Sequence, residues 1–126
     1  MATARRYRKS HEWVEFREGF AVVGISDHAQ DALGDITFVE LPKTGTAVTQ
    51  GKECGVIESV KAASDIFAPV SGTVTAVNLA TVSTPEIVNK EPYDGGWLYK
   101  ISGVQSSQID ALMDEAAYGI FLKSEK

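Results

Sequence analysis

The sequence predicts a mainly β fold, a flattened barrel or sandwich of two quasi-symmetric halves, with short helices between strands and a C-terminal helix. Three observations point there. The stretches Gly34-Asp-Ile-Thr-Phe-Val-Glu-Leu41 and Gly72-Thr-Val-Thr-Ala-Val-Asn-Leu79 share one pattern, Gly-x-[Ile/Val]-Thr-x-Val-x-Leu, and a repeated alternating run marks a duplicated strand unit. Gly55-Val-Ile and Gly96-Trp-Leu extend the likeness, with a small insertion in the second copy. Between the copies, two apolar runs, Val56 to Val60 and Ile66 to Val70, flank a short centre of polar and small residues. They read as two strands joined by a tight connection between the halves. Near the end, Ile109, Leu112, Met113, Ala116, Ala117, Ile120 and Phe121 recur at three- and four-residue steps, the stripe of a helix lying on the β body.

Each element follows from local chemistry. Glu12 to Phe16 alternates around Trp13, Val14 and Phe16, Phe20 to Ile25 is apolar, and Glu18-Gly19 between them completes a hairpin signature. Asp27 to Gln30 reads as a capping box, so Asp27 is expected to cap a short helix ending near Leu33, with Gly34 as its terminator. A strand from Gly34 to Leu41 is turned round by Pro42-Lys-Thr-Gly45. Thr84 and Pro85 suit the start of a further helical turn, and Glu91 to Gly96 is a turn-rich loop before a strand from Trp97 to Ile101. Ser106 or Ser107 is available as the cap of a helical region over 106–122, which Gly119 is expected to break or kink.

Composition excludes several classes of function. A chain of 126 residues, 44% hydrophobic and 23% charged, is one domain able to build a core without disulfide or metal. No apolar run approaches the length of a bilayer span. The net charge of -5 gives no basis for nucleic-acid binding, and the basic cluster Arg5, Arg6, Arg8 and Lys9 is expected to be a flexible solvated arm over residues 1–9. Cys54 is the only cysteine, so there is no internal disulfide, and beside a glycine and a strand it reads as a small core residue. His11 and His28 with one cysteine match no zinc spacing. Gly24-Ile-Ser-Asp-His28 lacks the second glycine of a serine nucleophile elbow.

Lys61 stands at the tip of the central connection. That segment holds no Gly, Asn or Pro, which favours a type I turn over one needing positive φ. A helix through Glu58 to Ala63 is the competing reading, opposed by Pro69 and the β-branched flanks. A lysine on a turn is by itself an ordinary solvated side chain.

The residues then become specific together. Ser10-His-Glu-Trp-Val14, Val23-Gly-Ile-Ser-Asp-His-Ala-Gln30, Leu33-Gly-Asp-Ile-Thr-Phe-Val-Glu-Leu-Pro42, Glu58-Ser-Val-Lys-Ala-Ala-Ser-Asp65, Ala68-Pro-Val-Ser-Gly72, Asn89, Pro92-Tyr93 and Gly96-Trp97 resemble the glycine cleavage system H proteins, in the family's order from about Ser10 to Phe121. The resemblance implies a lipoyl-domain-like barrel-sandwich hybrid acting as a single carrier domain, not an enzyme. It implies lipoic acid in amide linkage on Lys61. The implied partners are a pyridoxal-phosphate glycine decarboxylase that loads an aminomethyl group, a tetrahydrofolate-dependent aminomethyltransferase that removes it, and a lipoamide dehydrogenase that restores the disulfide. A lipoate ligase or lipoyltransferase would attach the cofactor. Ser10, Glu12 and Asp65 match positions that line a cleft for the loaded arm, where Glu12 would pair with the protonated amine; the plainer reading of Ser10 and Glu12 is an exposed strand end. Ser64 and Asp65 are expected to stabilise the turn locally. No membrane partner is expected, and the chain is expected to be a monomer. Cytoplasm is the expected compartment, with the mitochondrial matrix as alternative, because no long presequence precedes Ser10.

Three rivals share part of this pattern. A biotin carrier would place methionines beside the lysine, where this chain has Val60 and Ala62. A lipoyl domain of a 2-oxoacid dehydrogenase acyltransferase lacks the Ser-His-Glu-Trp start. The third is an unmodified binding module, or a lipoyl relay protein serving other acceptors.

Overall fold

The computed structural model describes residues 5–17 and 19–124. Strands β1 (Arg6–Tyr7), β2 (Glu12–Arg17) and β3 (Phe20–Ile25) lead into helix α1 (Asp27–Leu33), followed by β4 (Ile36–Glu40), β5 (Ala47–Val48), β6 (Glu53–Ser59), β7 (Ala63–Phe67) and β8 (Gly72–Val77). Helices α2 (Leu79–Ser83) and α3 (Ile87–Lys90), strand β9 (Tyr99–Ser102), and helices α4 (Ser106–Asp110) and α5 (Glu115–Ser124) complete the order. The strands form a six-stranded sheet, β1-β2-β3-β9-β8-β5, and a three-stranded sheet, β4-β6-β7. Val14 and Val23 of the larger sheet share one buried cluster with Ile36, Val39, Ile57 and Ile66 of the smaller. Both sheets therefore remove their apolar faces from water against a common core.

The internal repeat is matched strand for strand. Val39 pairs with Ile57 and Phe38 with Glu58, with a bulge between Ile36 and Phe38. Val77 pairs with Tyr99 and Ala76 with Lys100, with a bulge between Val74 and Ala76. Those two bulges fall at equivalent positions of the repeated sequence, so the two copies bend alike. The second copy has one residue more between its glycine and the paired strand, Gly96 to Tyr99 against Gly55 to Ile57. The β6–β7 hairpin joins the halves.

Several local expectations need correction. Residues 5–9 are not a free arm: β1 pairs with β2, Tyr7 is buried, and Arg6 donates to the Asp110 and Leu112 carbonyls. Residues 1–4 of that arm, and Glu18 of the first turn, lie outside the described residues. Helix α1 has the expected span, but its cap is Ser26, whose hydroxyl accepts from Ala29 N; Asp27 instead accepts from the Gln30 amide. Leu79 begins α2 rather than ending β8, because Asn78 caps a helix there. Thr84 closes α2, and α3 starts after Glu86 without a side-chain cap. The C-terminal region is two helices, broken at 111–114 where Met113 bridges to Tyr7, while Gly119 lies inside α5. Neither serine caps it: Gln105 precedes α4 with no side-chain cap, and Asp114 accepts from Ala117 N at the start of α5. Tyr118, not the aliphatic stripe, is the buried contact of α5, and Ile120 is exposed.

Candidate functional site

Lys61 lies at the tip of the β6–β7 hairpin, as the sequence indicates. Glu58 pairs with Ala63 across the strands, and Ser59 N donates to the Ala62 carbonyl at 2.8 Å. The Ser59 hydroxyl accepts from Ala62 N at 3.2 Å and Lys61 N at 3.4 Å. Ser59 therefore closes the turn, in place of the expected Ser64 and Asp65: Ser64 Oγ reaches only the neighbouring Asp65 carbonyl at 3.4 Å. No residue of the tip has positive φ, so the turn needs no glycine. Val60, Lys61 and Ala62 are all exposed.

The tip rests on the corner between α1 and β4. Val60 N donates to the Asp35 carbonyl at 3.1 Å. A Cβ at Gly34 would lie 3.3 Å from Lys61 Cε, so the bare glycine makes the seat for the lysine stem. Gly34 has φ +82 and ψ −155, a conformation open to glycine and costly for other residues. Asn89 holds this corner from α3: its Nδ2 donates to the Gly34 carbonyl and Gln30 Oε1, each at 2.9 Å, and its Oδ1 accepts from Ile36 N at 3.0 Å.

The other end of β7 meets the start of β2. Glu12 is only 2% exposed, which excludes the exposed strand end. Its Oε2 accepts from Phe67 N at 2.9 Å and its Oε1 accepts from the Ser10 hydroxyl. Burial pushes the Glu12 carboxyl above its ordinary range, opposed by the Ser10 hydroxyl, the Phe67 N–H and the nearby Arg8 charge. Two donors, one on each oxygen, are the partners of an ionised carboxylate. Asp65 is exposed on β7 two residues before Phe67, so its side chain leaves the strand on the same face as Phe67. Ser10 and Glu12 are thus brought together, while Asp65 lies in the middle of β7 and is not brought into hydrogen-bond contact with them.

His11, between Ser10 and Glu12, has φ +82, and the turn is closed by Arg8 N donating to Glu12 O and His11 N to Arg8 O. Ser10 and Glu12 face β7, while His11 Nδ1 lies 2.7 Å from the Tyr118 hydroxyl on the opposite side. The strain at His11 therefore divides three consecutive side chains between two environments. Next to them, the indole Nε1 of buried Trp13 donates to the Pro92 carbonyl.

Sequence reasoning did not single out Arg8, Ser59, Phe67 or Asn89 in these roles. Asn89 appeared among the family-like residues, but no local pattern marks a side chain whose partners are more than fifty residues away. Cys54 is part-buried against the main core and lies 3.2 Å from the Tyr99 hydroxyl. Burial pushes its thiol up, away from thiolate reactivity. Among the described residues there is no cluster of metal-ligating side chains, and no helix is long and apolar enough to cross a membrane.

Fold and site together define a small barrel-sandwich domain that presents one lysine at a hairpin tip, with a buried carboxylate at the far end of the same hairpin strand. The sequence profile of the family described as Glycine cleavage H-protein matches residues 5–125. A glycine cleavage system H protein of Alcanivorax borkumensis is 51% identical over 120 residues, covering 95% of this chain and 94% of the relative. That of Citrobacter koseri is 52% identical over 121 residues, with the same coverage. The crystal structure of a glycine cleavage system H protein from Mycobacterium marinum superposes with a TM-score of 0.86 at 36% identity, covering 94% of this chain and 96% of that one. The chain belongs to the glycine cleavage H-protein family.

Proposed function

We propose that this protein is the lipoyl carrier of a glycine cleavage system, with lipoate in amide linkage on Lys61 Nζ and no catalytic residue of its own. The observation that carries this reading is a single exposed lysine held at a hairpin tip whose base is tied down by Ser59, Asp35 and Asn89. Lipoate, when attached, supplies a dithiolane whose sulfur holds the aminomethyl fragment of glycine.

The chain's residues fit such an arm at both ends. At the root, Ala62 and Ala63 are small and exposed, leaving Nζ open to an attaching enzyme and to partner active sites. From Ala63 to Phe67 the strand rises about 13 Å, close to the roughly 14 Å reach of a lipoyl-lysine estimated from its bond lengths. An arm of that length anchored at the tip would be long enough to span β7 toward the Ser10–Glu12 end. There an anionic Glu12 offers a protonated amine a charge-assisted hydrogen bond, Ser10 orients the carboxylate, and exposed Asp65 adds negative charge along the way. Burial at Glu12 keeps water from the carried group.

The partners of this reading are the pyridoxal-phosphate glycine decarboxylase, the tetrahydrofolate-dependent aminomethyltransferase, lipoamide dehydrogenase, and the ligase or lipoyltransferase that modifies Lys61. The carrier acts as one domain over residues 1–126, as a monomer, in the cytoplasm. Tethering raises the effective concentration of the carried group at each partner.

Peptide mapping tests the central assignment. The tryptic peptide containing Lys61 should gain the mass of a lipoyl group when the protein is made in lipoate-replete cells, and Lys61→Arg should abolish both that mass and glycine-dependent loading by the decarboxylase. A biotinyl mass, or loading that survives Lys61→Arg, would overturn it. Lipoylation without glycine-dependent loading would point to a relay role instead.

A further inference from the structure

Arg8 covers the mouth of the Glu12 site. Its Nη1 donates to Ser10 Oγ at 2.6 Å, and that hydroxyl donates onward to Glu12 Oε1. The guanidinium lies over the Phe67 ring, with Cζ 5.4 Å from the ring centroid. Phe67 is also the residue whose N–H holds the other Glu12 oxygen. On the far side the Arg8 Nη2 packs on Gly51, where a Cβ would lie 3.3 Å away. One fixed positive charge therefore sits beside a buried carboxylate, relayed to it through a single hydroxyl. Arg8 itself forms one wall of an open cavity of about 450 Å3, with Tyr7, Lys9, Gln50, Gly51, Leu112 and Met113 among its other walls, which gives the long side chain room to turn away from Ser10.

A protonated primary amine arriving at Glu12 bears the same charge as the guanidinium and seeks the same acceptors. Two cations at one carboxylate repel each other, the more so where water is excluded. We infer that Arg8 is an exchangeable counter-ion of this site: it covers Ser10 and Glu12 while no amine is docked, and turns into the adjoining cavity when an amine-bearing arm takes its place. The inference rests on the proposed role of Glu12 as resting place of the carried amine. Its consequence is a weakened latch. Arg8 competes with the cargo for Glu12, so the docked arm is released to the next partner more readily than the carboxylate alone would allow.

The test uses the lipoylated protein, loaded with glycine and the decarboxylase or left unloaded, with Arg8→Met, Arg8→Lys and Glu12→Gln beside the wild type. NMR of the Arg8 guanidinium reports its place over Phe67 through the ring-current shift. In wild type that shift should be lost on loading and kept in the unloaded lipoylated protein. Spontaneous loss of the one-carbon group should slow about threefold in Arg8→Met, the scale expected for one partly exposed charge pair, and stay near wild type in Arg8→Lys. An Arg8 signal that ignores loading, or loss as fast or faster in Arg8→Met, overturns the inference. Glu12→Gln separates the two levels: if it does not accelerate the loss, the role of Glu12 fails, and if it does while Arg8 stays unresponsive, only the counter-ion fails.

Discussion

Glu12 is buried, so the fate of its charge is tied to folding. A buried carboxylate costs free energy unless donors meet it, and here Ser10 and Phe67 meet one oxygen each. Because burial raises its pKa in the folded state, the folded protein holds the proton more tightly than the unfolded chain does. Its contribution to stability is therefore full below the ordinary carboxylate pKa and is lost as pH rises through the raised value. Denaturant unfolding of wild type and Glu12→Gln at several pH values should show the stability of wild type relative to the variant falling as pH rises from about 4 upward. A difference that stays flat would mean that Glu12 is not shifted by burial. Trp13, one residue on, shows the same tie between adjacent positions in another form: a Cβ at Gly24 would lie 2.7 Å from its ring, so the glycine in β3 is what lets the indole lie flat and reach Pro92.

At the level of elements, the β6–β7 hairpin is held by β4 along β6 and, at its tip, by the corner between α1 and β4 more than by its own turn. Isolated two-stranded hairpins are marginal in water; this one gains a third strand in β4 and is braced at its tip by Val60 N on the Asp35 carbonyl and by the lysine stem on Gly34. Asn89 fixes that brace from the second half of the chain. Asn89→Ala leaves the Gly34 carbonyl and the Ile36 N–H without their side-chain partner, which should cost about 2 kcal/mol. Hydrogen exchange checks this element by element: the Val60 amide should lose protection in the variant while the β2–β3 amides keep theirs beyond the global change. Equal loss in both would show that the corner does not steer the hairpin.

Taken whole, the molecule is closed by its C-terminal helix. Tyr118 stacks on Tyr7 with ring centroids 4.1 Å apart and planes 1° from parallel, and its hydroxyl lies 2.7 Å from both Ser26 Oγ and His11 Nδ1. One phenol thus links the first strand, the strained turn before Glu12 and the cap of α1. Tyr118→Phe keeps the stack and removes the hydroxyl, and should lower stability by about 1–2 kcal/mol in thermal or denaturant unfolding. A second expectation belongs to the same scale. On the proposed carrier function, the variant should accelerate loss of the one-carbon group, because the turn that holds Ser10 and Glu12 has lost its outer support; an unchanged rate would confine Tyr118 to a stabilising role.

Strands, the hairpin tip on which Lys61 stands and the internal repeat were legible in the sequence because each is written in residues close together in the chain. Alternation fixes a strand's faces, and a polar gap between two apolar runs fixes a turn. The helical tail was legible as helix but not as two pieces, because Met113 leaves helical geometry to bridge a strand more than a hundred residues earlier. What the tertiary structure alone decided was partnership across distance. That Glu12 is buried and that it holds the N–H of a residue fifty-five positions away both depend on two sheets closing on one core. Hydrogen bonds and charge pairs act over a few ångströms of space regardless of sequence separation, so no local pattern encodes them.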